Sequence, residues 1–357
     1  MRIGIYDPYL DDLGGGEKYM MTIAECLSKE HDVSVFWNDK KDVENIVERF
    51  SLDLTKVSLK ENIFSTQYSF LKRLFESKKY DVLIILSDGS IPYVLAKKIF
   101  LHIQQPLETA AVSSWKAKIK LKRIKNVFYN SQFTKSFNKN ILPGVPTTVI
   151  YPPVQLFSKK TPKQNIILHV GRFRVNNVKN EDYKKQQLMV GVFKEMVDKG
   201  LKDWKFVVAT SIQETSDERF QGMLSMAKGY PIEFEINRTN KDLWEIYNIA
   251  KIYWHASGFG EDLEKHPEYA EHFGISTVEA MGAGAVPVVI NAGGQKEIVT
   301  EGENGFLWIT LAELQKKTMN LLSNKNTWEK MSKQASIRAK EFSKEKFCNQ
   351  LEKLIRD

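Results

Sequence analysis

Residues 271–299, EHFGISTVEAMGAGAVPVVINAGGQKEIV, contain the pattern that decides the fold class. Gly274 precedes a stretch of helical spacing over 275–283, and an apolar, β-branched run over 286–290 follows it closely. A helix that leads directly into a buried strand is the repeating unit of parallel α/β sheets. A glycine at the start of such a helix also exposes backbone amides to which an anion can bind. The stretch therefore predicts an α/β domain with an anion site at this helix.

The same alternation of strands and helices extends over most of the chain. Helical spacing is found over 17–28, 184–199, 217–228 and 241–249, and 312–357, which contains no Gly or Pro, is predicted to be helical throughout. Repeated units of this kind build doubly wound sheets that bind ligands at the carboxyl ends of their strands. The predicted strands are 2–6, 33–37, 82–86, 99–103, 127–130 and 147–150, then 166–170, 205–209, 232–236, 252–255 and 286–290.

A proline-rich stretch divides this series in two. Pro152, Pro153 and Pro162 interrupt regular structure between the two sets of strands. A chain of 357 residues is also long for a single hydrophobic core. We therefore expect an α/β protein of two Rossmann-like doubly wound domains that face a cleft, one over 1–155 and one over 156–340. Residues 341–357 are predicted to form a terminal helix that packs back on the N-terminal domain.

Composition excludes several classes of protein. Hydrophobic residues make up 42% of the chain and charged residues 27%, the balance of a soluble globular protein. The longest clean apolar run, 82–86, is far shorter than the roughly 20 residues that a membrane-spanning helix needs, and the first residues do not resemble a signal peptide. Cys26 and Cys348, expected to be unpaired, fit a reducing compartment and no zinc cluster. A cytoplasmic location is expected.

The net charge of +8 is unevenly distributed along the chain. Residues 109–180, which we call the basic belt, contain 14 Lys and Arg and no Asp or Glu. The rest of the chain has 38 basic and 44 acidic residues, a net charge of −6. A basic belt of this kind favours binding of phosphate groups on nucleotides, nucleic acids or lipids. A solvated lysine-rich face is the alternative.

Two further glycine-containing loops stand at predicted strand–helix junctions. Gly15 and Gly16 precede the first helix, where close approach to backbone amides favours an anion, although the dinucleotide pattern GxGxxG is not met. Gly171 and Arg172 end a predicted strand, and Lys184 or Lys185 opens the next helix. An Arg and a Lys at one sheet edge could hold a diphosphate. A simple flexible turn and a solvated surface loop are the respective alternatives.

Two glutamates flank the predicted start of the helix after Gly274. Glu271 lies on the loop, where it could bind a sugar hydroxyl, and Glu279 lies about one turn inside the helix, where it could bind ribose hydroxyls. The alternative is that both carboxylates are solvated, but the apolar turn between them makes this less favourable. No cluster with metal-ligand spacing accompanies them, so no metal is expected.

These motifs together resemble family 4 of the glycosyltransferases. The family has two Glu separated by seven residues, followed by E-A-M-(A/G)-x-G-x-P-V-(V/I) and a Gly-Gly loop ending in Glu, as in 271–299 here. Its GR(L/F) loop with a downstream Lys resembles Gly171, Arg172, Phe173 and Lys184. The N-terminal half is similar through its Gly-Gly loop, YNSQFTK and VIYPPV. The resemblance implies a GT-B fold and covers nearly the whole chain.

The resemblance also implies roles for individual residues. Arg172 and Lys184 would hold the donor diphosphate, while Glu271 and the amides of the FGI turn would hold the donor sugar. His102 resembles the histidine that faces the sugar from the other domain, although a buried, hydrogen-bonded histidine at a strand end fits it equally. Because the loop after Arg172 is long, Lys185 stays an alternative to Lys184. The remaining residues expected to bind the donor are Gly15, Gly16, Gly171, Phe273, Gly274, Ile275 and Glu279.

A metal-independent, retaining transferase is the function that the resemblance implies. It would move a hexose from GDP-mannose or a UDP-hexose to a hydroxyl of a glycan or lipid-linked acceptor, without a cofactor. A GT-B epimerase of sugar nucleotides is the alternative. A basic module that binds nucleic acid is less favoured, because the basic belt lacks the sequence context of known nucleic-acid folds.

A membrane contact is predicted within the basic belt. Residues 113–128, SSWKAKIKLKRIKNVF, interleave apolar side chains with six bases, a pattern typical of segments that lie on an anionic membrane. We expect peripheral binding to the cytoplasmic face of the membrane, with a surface helix packed on the first sheet as the alternative.

Overall fold

The structure is a computed structural model that describes residues 1–12, 14–107, 120–156, 159, 161–176 and 181–357. The chain forms two compact units. The first consists of Met1–Pro153 together with Lys344–Asp357, and the second consists of Val154–Ser343. The boundaries expected from the sequence were at 155 and 340. The chain therefore enters the second unit once and returns to the first.

A parallel sheet of seven strands organises the first unit. The strands are β1 (Arg2–Tyr6), β2 (Asp32–Phe36), β3 (Val57–Lys60), β4 (Val82–Leu86), β5 (Lys98–Ile103), β6 (Ile124–Tyr129) and β7 (Thr147–Val149). They lie in the order β3-β2-β1-β4-β5-β6-β7, and Ile3 of β1 pairs with both Val33 of β2 and Val82 of β4. The strand order reverses between β1 and β4. Helices of this unit that lie wholly within the described residues include α1 (Gly15–Leu27), α2 (Lys40–Phe50), α3 (Phe70–Ser77) and α4 (Gln132–Phe137).

The second unit repeats this arrangement with six parallel strands. The strands are β8 (Gln164–Arg172), β11 (Lys205–Ser211), β12 (Ile232–Ile236), β13 (Ala250–His255), β14 (Val286–Ile290) and β15 (Phe306–Trp308), in the order β12-β11-β8-β13-β14-β15. Two short strands, β9 (Val175–Asn176) and β10 (Glu181–Asp182), pair antiparallel beside them. The helices are α5 (Gln186–Asp198), α6 (Glu218–Ala227), α7 (Asn240–Ile249), α8 (Ile275–Gly282), α9 (Gln295–Ile298), α10 (Leu311–Ser323) and α11 (Lys325–Ala339).

The central strands are buried on both faces. Every residue of β4 (VLIIL) and of β14 (VPVVI) is buried, as expected for parallel strands that have helices on both sides of their sheet. Helix α1 packs Met20, Ile23 and Leu27 into the core of the first unit. This burial explains why continuous β-branched runs, rather than alternating ones, predicted the strands correctly. The predicted fold class of two Rossmann-like sheets is confirmed.

The last helix, α12 (Lys344–Arg356), belongs to the first unit. Cys348 on α12 and Cys26 on α1 form a disulfide, because the packing of the two helices brings their Cα atoms to 5.4 Å. The expectation of two unpaired cysteines is therefore wrong. Because the cysteines are paired, they do not indicate a reducing compartment, and the cytoplasmic location stays a prediction.

The prediction of unbroken helix over 312–357 is also wrong. Asn324 leaves the helical conformation between α10 and α11, and its Oδ1 accepts a hydrogen bond from the Thr327 amide to cap α11. Ser343 is extended before α12. Neither break needs a glycine or proline, since asparagine and serine favour helix N-termini over helix interiors. None of the helices in the described part of the chain has the length and apolar composition that a membrane crossing needs.

Candidate active site

The carboxyl ends of β8 and β13 meet at the point where the strand order of the second sheet reverses. β8 pairs with β11 on one side and with β13 on the other. β8 ends with Gly171 and Arg172, and β13 ends with His255. Open α/β sheets bind ligands at this kind of strand-order reversal. The polar residues described next gather at this edge.

A carboxylate at this edge contacts two nitrogen donors. Glu271 Oε2 lies 2.6 Å from Lys184 Nζ and 3.0 Å from His255 Nε2. Lys184 comes from the loop before α5, His255 from the end of β13, and Glu271 from the loop before α8. The cluster of Lys184, His255 and Glu271, which we call the Glu271 cluster, therefore joins three separate segments. His255 was not identified from the sequence.

Charge and burial set the protonation states of the Glu271 cluster. Burial alone would raise the pKa of Glu271, but Lys184 and His255 outweigh burial and hold that pKa well below its ordinary value. Burial lowers the pKa of His255, although Glu271 opposes the shift. The arrangement is therefore a carboxylate bound by an ammonium and by a neutral imidazole that donates from Nε2.

A second buried histidine lies behind the Glu271 cluster. His169 Nδ1 lies 3.0 Å from the Trp254 carbonyl oxygen, which can only accept, so Nδ1 has the proton. Burial lowers the pKa of His169 to about 3, and the imidazole stays neutral. Among the described residues, its Nε2 has no hydrogen-bond partner. A Cβ on Gly171 would lie 3.0 Å from that Nε2 and 3.2 Å from Lys184 Cγ, so a side chain there would crowd both residues.

The two adjacent lysines have different partners. Lys184 binds Glu271, whereas Lys185 Nζ lies 2.8 Å from Glu261 Oε1, and the two side chains of this second pair are 11% and 6% exposed. Lys185 is also the residue before α5, with a left-handed φ of 55°. Glu261 lies in the segment between β13 and Glu271. Lys185 therefore contacts this segment and Lys184 contacts Glu271, while the choice of the diphosphate lysine stays a prediction.

Helix α8 begins beside the Glu271 cluster. Gly274 precedes it with φ 118°, a conformation that favours glycine, and a Cβ there would lie 2.6 Å from Gln295 Nε2. The first amides of a helix have no partner within the helix and form the positive end of its dipole. The loop of Phe273, Gly274 and Ile275, where the sequence predicted an anion or sugar site, lies at this positive end of α8.

The loop that contains Glu271 packs on a turn that the sequence analysis did not assign to the site. Gly294 N donates to the Glu271 carbonyl oxygen at 2.8 Å. A Cβ on Gly293 would lie 2.3 Å from that oxygen, and one on Gly294 would lie 2.4 Å from Phe273 Cα. Two adjacent glycines shortly after β14 were the feature of the sequence that indicated this turn. They permit the close backbone approach that fixes Glu271.

Glu279 has a different environment from Glu271. Tyr247 OH donates to Glu279 Oε2 at 3.0 Å. Burial, reinforced by Glu279, raises the pKa of Tyr247 well above its ordinary value, so the hydroxyl keeps its proton. Tyr247 was not identified from the sequence, because no sequence motif distinguishes a tyrosine within a helix as part of a binding site. The bond fixes one carboxylate oxygen of Glu279 one turn inside α8.

The remaining candidate residues lie in the first unit. Gly15 and Gly16 open α1, and a Cβ on Gly16 would lie 2.3 Å from Gln104 Nε2. His102 is completely buried in β5 and stacks on Tyr19 with ring centroids 4.1 Å apart. Its Nδ1 lies 3.1 Å from the Phe128 carbonyl oxygen, and burial lowers the pKa of His102 to about 3. These contacts match the alternative of a buried strand-end histidine, and the catalytic role stays a prediction.

One buried carboxyl in the first unit was missed entirely. Asp7 directly follows β1, at the point where the strand order of the first sheet reverses, and it is fully buried. Its Oδ1 accepts from the Tyr9 amide, while Oδ2 has no partner among the described residues. Burial raises the pKa of Asp7 to about 7. An acid immediately after a strand was the only sequence signal.

Part of the basic belt lies outside the described residues. This applies to 113–119 of the predicted membrane segment, and to Lys160 and Lys179. Within the described chain, no group of three or more His, Cys, Asp or Glu has the geometry to hold a metal ion.

Sequence comparisons identify relatives of the chain. Residues 155–338 match the family of glycosyl transferases group 1. A Dictyostelium discoideum protein named GDP-Man:Man(3)GlcNAc(2)-PP-Dol alpha-1,2-mannosyltransferase is 23% identical over 446 residues, which cover all of this chain and 84% of the relative. A Neurospora crassa protein of the same name is 28% identical over 245 residues, but the alignment covers 60% of this chain and 41% of that relative.

Solved structures give the fold. Anabaena HepE in complex with UDP has a TM-score of 0.73 and 17% identity, with 99% of both chains covered. A glycosyltransferase from Rickettsia africae has a TM-score of 0.73 and 15% identity, with 99% of this chain and 97% of the other covered. The GT-B fold implied by the resemblance is confirmed. Since the family match spans half of the chain, the protein belongs to the glycosyl transferases group 1.

Proposed function

We propose that the protein is a mannosyltransferase that transfers mannose from GDP-mannose to a hydroxyl of a lipid-linked oligosaccharide, with retention of configuration. The names of the Dictyostelium and Neurospora relatives support the donor and the class of acceptor. The full-length match to the Dictyostelium relative favours GDP-mannose over a UDP-hexose, although the HepE structure contains UDP.

The Glu271 cluster is the observation that carries this proposal. A carboxylate with a strongly lowered pKa lies beside the start of α8 and at the strand-order reversal of the second sheet. A carboxylate that stays ionised can accept hydrogen bonds from sugar hydroxyls. The amides at the start of α8 and the ammonium of Lys184 supply positive charge within the same small region. Sugar and diphosphate thus have complementary groups side by side.

The donor diphosphate is bound by Arg172, Lys184 and the first amides of α8 in this proposal. An ammonium has three hydrogen-bond donors, so Lys184 can keep Glu271 while it donates to a phosphate oxygen. Gly171 permits the backbone to approach the phosphates, and Lys185 keeps the neighbouring segment in position through Glu261. Glu279, which accepts a hydrogen bond from Tyr247, binds the ribose hydroxyls in this proposal.

The reaction is a front-face transfer. The bond between the sugar C1 and the phosphate oxygen breaks with its electron pair on the phosphate, and the acceptor oxygen bonds to C1 on the same face. The acceptor proton passes to the leaving phosphate oxygen. Arg172, Lys184 and the helix dipole stabilise the negative charge that develops, which is the kind of preorganised electrostatics that lowers such barriers. These groups act without a metal ion in the proposal.

Residues of the first unit complete the proposed enzyme. Gly15 and Gly16 line the binding site of the diphosphate or of the acceptor, and His102 faces the donor sugar, as the family resemblance implies. The acceptor's lipid requires a protein that works at a membrane surface, so we include peripheral binding to the cytoplasmic face in the proposal.

Product analysis with a panel of donors tests the proposal. The purified protein is incubated with GDP-mannose, UDP-glucose or UDP-GlcNAc, with and without a lipid-linked oligosaccharide, and the products are identified by mass spectrometry and NMR. We expect acceptor-dependent transfer of mannose with retained configuration, with and without EDTA. Transfer from a UDP-sugar alone would contradict the donor assignment, and conversion of a donor without acceptor would contradict the transferase in favour of an epimerase.

A further inference from the structure

Helix α3 has large apolar side chains in contact with solvent. Phe70, Leu71 and Phe75 are 50%, 62% and 68% exposed. Of its eight residues, FLKRLFES, only Ser77 is buried. A surface helix of a globular protein normally turns its apolar side toward the core. Here much of the apolar side faces outward.

The inner side of α3 is held by polar groups. Ser77 Oγ accepts a hydrogen bond from the Leu95 amide at 2.9 Å, and Arg73 Nε donates to the Ile63 carbonyl oxygen at 3.3 Å. At about 100° per residue, Phe70, Leu71 and Phe75 lie within an arc of about 140°, while Lys72 and Arg73 lie outside it. The helix is thus anchored by its polar side, which leaves its apolar arc available to a partner.

The apolar surface continues beyond α3. The rings of Phe70 and Tyr93 meet edge to face with centroids 5.8 Å apart. Leu95, whose amide is bonded to Ser77 at the end of the helix, is exposed. We call the surface of Phe70, Leu71, Phe75, Tyr93 and Leu95 the α3 patch. Two chain segments fixed to each other therefore form one apolar surface.

Basic side chains border the α3 patch. Lys120 Nζ lies 4.1 Å above the Tyr93 ring and donates to the Ile91 carbonyl oxygen. Arg123 donates to the carbonyl oxygens of Val94 at 3.0 Å and Ala96 at 3.1 Å. Residues 120–125 contain four bases and no acid, and 70–79 contain four bases and one acid. Because Lys72 pairs with Glu61 and Lys79 pairs with Glu76, the net positive charge at the border comes mainly from 120–125.

We propose that the α3 patch is the surface through which the protein contacts an anionic lipid bilayer. Phe70, Leu71 and Phe75 enter the boundary between headgroups and acyl chains, while Lys120 and Arg123 face lipid phosphates. Exposed aromatic and aliphatic side chains bordered by bases are the combination that binds peripheral proteins to anionic membranes. The proposal deepens the proposed function, on which it rests for the lipid-linked acceptor. It assigns the membrane contact to α3, which the sequence analysis did not.

Vesicle co-sedimentation tests the α3 patch directly. The wild-type protein and a Phe70→Ser/Leu71→Ser/Phe75→Ser variant are mixed with vesicles of phosphatidylcholine, alone or with phosphatidylglycerol. We expect the wild type to bind the anionic vesicles, more weakly at high salt. The triple variant should bind at least about tenfold more weakly, because three apolar side chains no longer leave water. An Ile309→Ser/Ile337→Ser variant, which removes exposed apolar side chains from the second unit, should bind like the wild type.

A charge variant provides an independent measurement. Lys122 and Lys125 are exposed on the same basic segment. A Lys122→Gln/Lys125→Gln variant should lose about 30-fold in binding to anionic vesicles and nothing on neutral ones, because each base near the surface contributes about 1 kcal/mol. Because these side chains and those of the α3 patch are exposed, the melting temperatures of both variants should stay close to that of the wild type.

Three outcomes would overturn the proposal. They are absence of wild-type binding to anionic vesicles, equal binding by the triple variant, and a wild-type dimer that the triple variant converts to monomer without any lipid binding. Failure of the proposed function looks different, since vesicle binding would persist while no donor transfers its sugar. If both proposals hold, the triple variant keeps mannose transfer to a water-soluble acceptor analogue and loses it with acceptor in vesicles.

Discussion

At the scale of single residues, Lys184 is the side chain whose loss should affect chemistry most. We expect Lys184→Ala to lower kcat by about 100-fold or more, because the leaving diphosphate loses a positive charge in the transition state. Steady-state kinetics with saturating GDP-mannose measures the effect. Lys202→Ala, at an exposed position after α5, is the matched control. An unchanged kcat for Lys184→Ala would contradict the role of this lysine.

Lys185 should affect stability instead. Its ion pair with Glu261 is largely shielded from solvent, with side chains 11% and 6% exposed, and Lys185→Met leaves that carboxylate with one charged partner fewer. We expect a loss of about 3 kcal/mol in the free energy of unfolding, as is usual when one partner of a buried pair is removed. Urea denaturation of Lys185→Met, of Glu261→Gln and of the double variant Lys185→Met/Glu261→Gln measures this loss. The double variant should recover part of the loss, and a full additive loss would contradict the pairing.

Asp7 provides a prediction about pH. Burial raises the pKa of Asp7 to about 7, above its value in the unfolded chain. The free energy of unfolding therefore falls at pH values where the carboxyl is ionised in the unfolded chain but still protonated in the folded protein. The contribution of Asp7 to the stability of the wild type is fully present below the unfolded pKa of about 4 and is lost as the pH rises from there through about 7. Asp7→Asn should therefore gain stability relative to the wild type between about pH 4 and pH 7, with a constant advantage above that range. Thermal unfolding across this range checks it, and an advantage independent of pH would contradict the raised pKa.

At the scale of elements, the turn after β14 determines where Glu271 lies. A Cβ on Gly294 would lie 2.4 Å from Phe273 Cα, a backbone atom that cannot move without the loop. Gly294→Ala should therefore shift Glu271 and the start of α8, raise the KM for the donor and destabilise the second unit by about 2 kcal/mol. Gly222→Ala, at a helix position with open space, is the control. Kinetics and melting temperature measure both effects.

Strands that bury continuous apolar runs were predictable from the sequence, and so were the edge strands β7 and β12, whereas the edge strands β3 and β15 were not. β4 and β14 follow directly from VLIIL and VPVVI. β3 (VSLK) and β15 (FLW) are short edge strands, and their few apolar residues carry too little pattern. The helix breaks at Asn324 and Ser343 were not predicted either, because the capping role of these residues depends on where the flanking helices pack.

The candidate site was predictable in its local motifs but not in its long-range contacts. Glu271, Glu279 and the Arg172–Lys184 loop follow from spacing and resemblance. His255 lies 16 residues from Glu271, and Tyr247 lies 32 residues from Glu279. Such pairs meet only because β13, α7 and α8 converge in the folded sheet. The basic belt also changed in meaning, because Lys120 and Arg123 border an apolar patch that charge counting alone could not show.

At the scale of the whole molecule, the disulfide between α1 and α12 should stabilise the first unit. Replacing both cysteines, as in Cys26→Ala/Cys348→Ala, removes a link across 322 residues of sequence. We expect a loss of about 2–5 kcal/mol in the free energy of unfolding. Urea denaturation with and without reductant measures it, and reductant should have no effect on the double variant. Identical midpoints for wild type and double variant would contradict a stabilising link.

The path of the chain between the two units also has a consequence for biosynthesis. Residues of the first unit occur on both sides of the second unit in the sequence. On the ribosome, the second unit can finish folding as soon as residue 343 has emerged, whereas the first must wait for α12. Since domains generally fold as units during synthesis, the part of the protein that is made first is completed last. The apolar surface of α1 that α12 later covers is therefore exposed to chaperones throughout translation of the second unit.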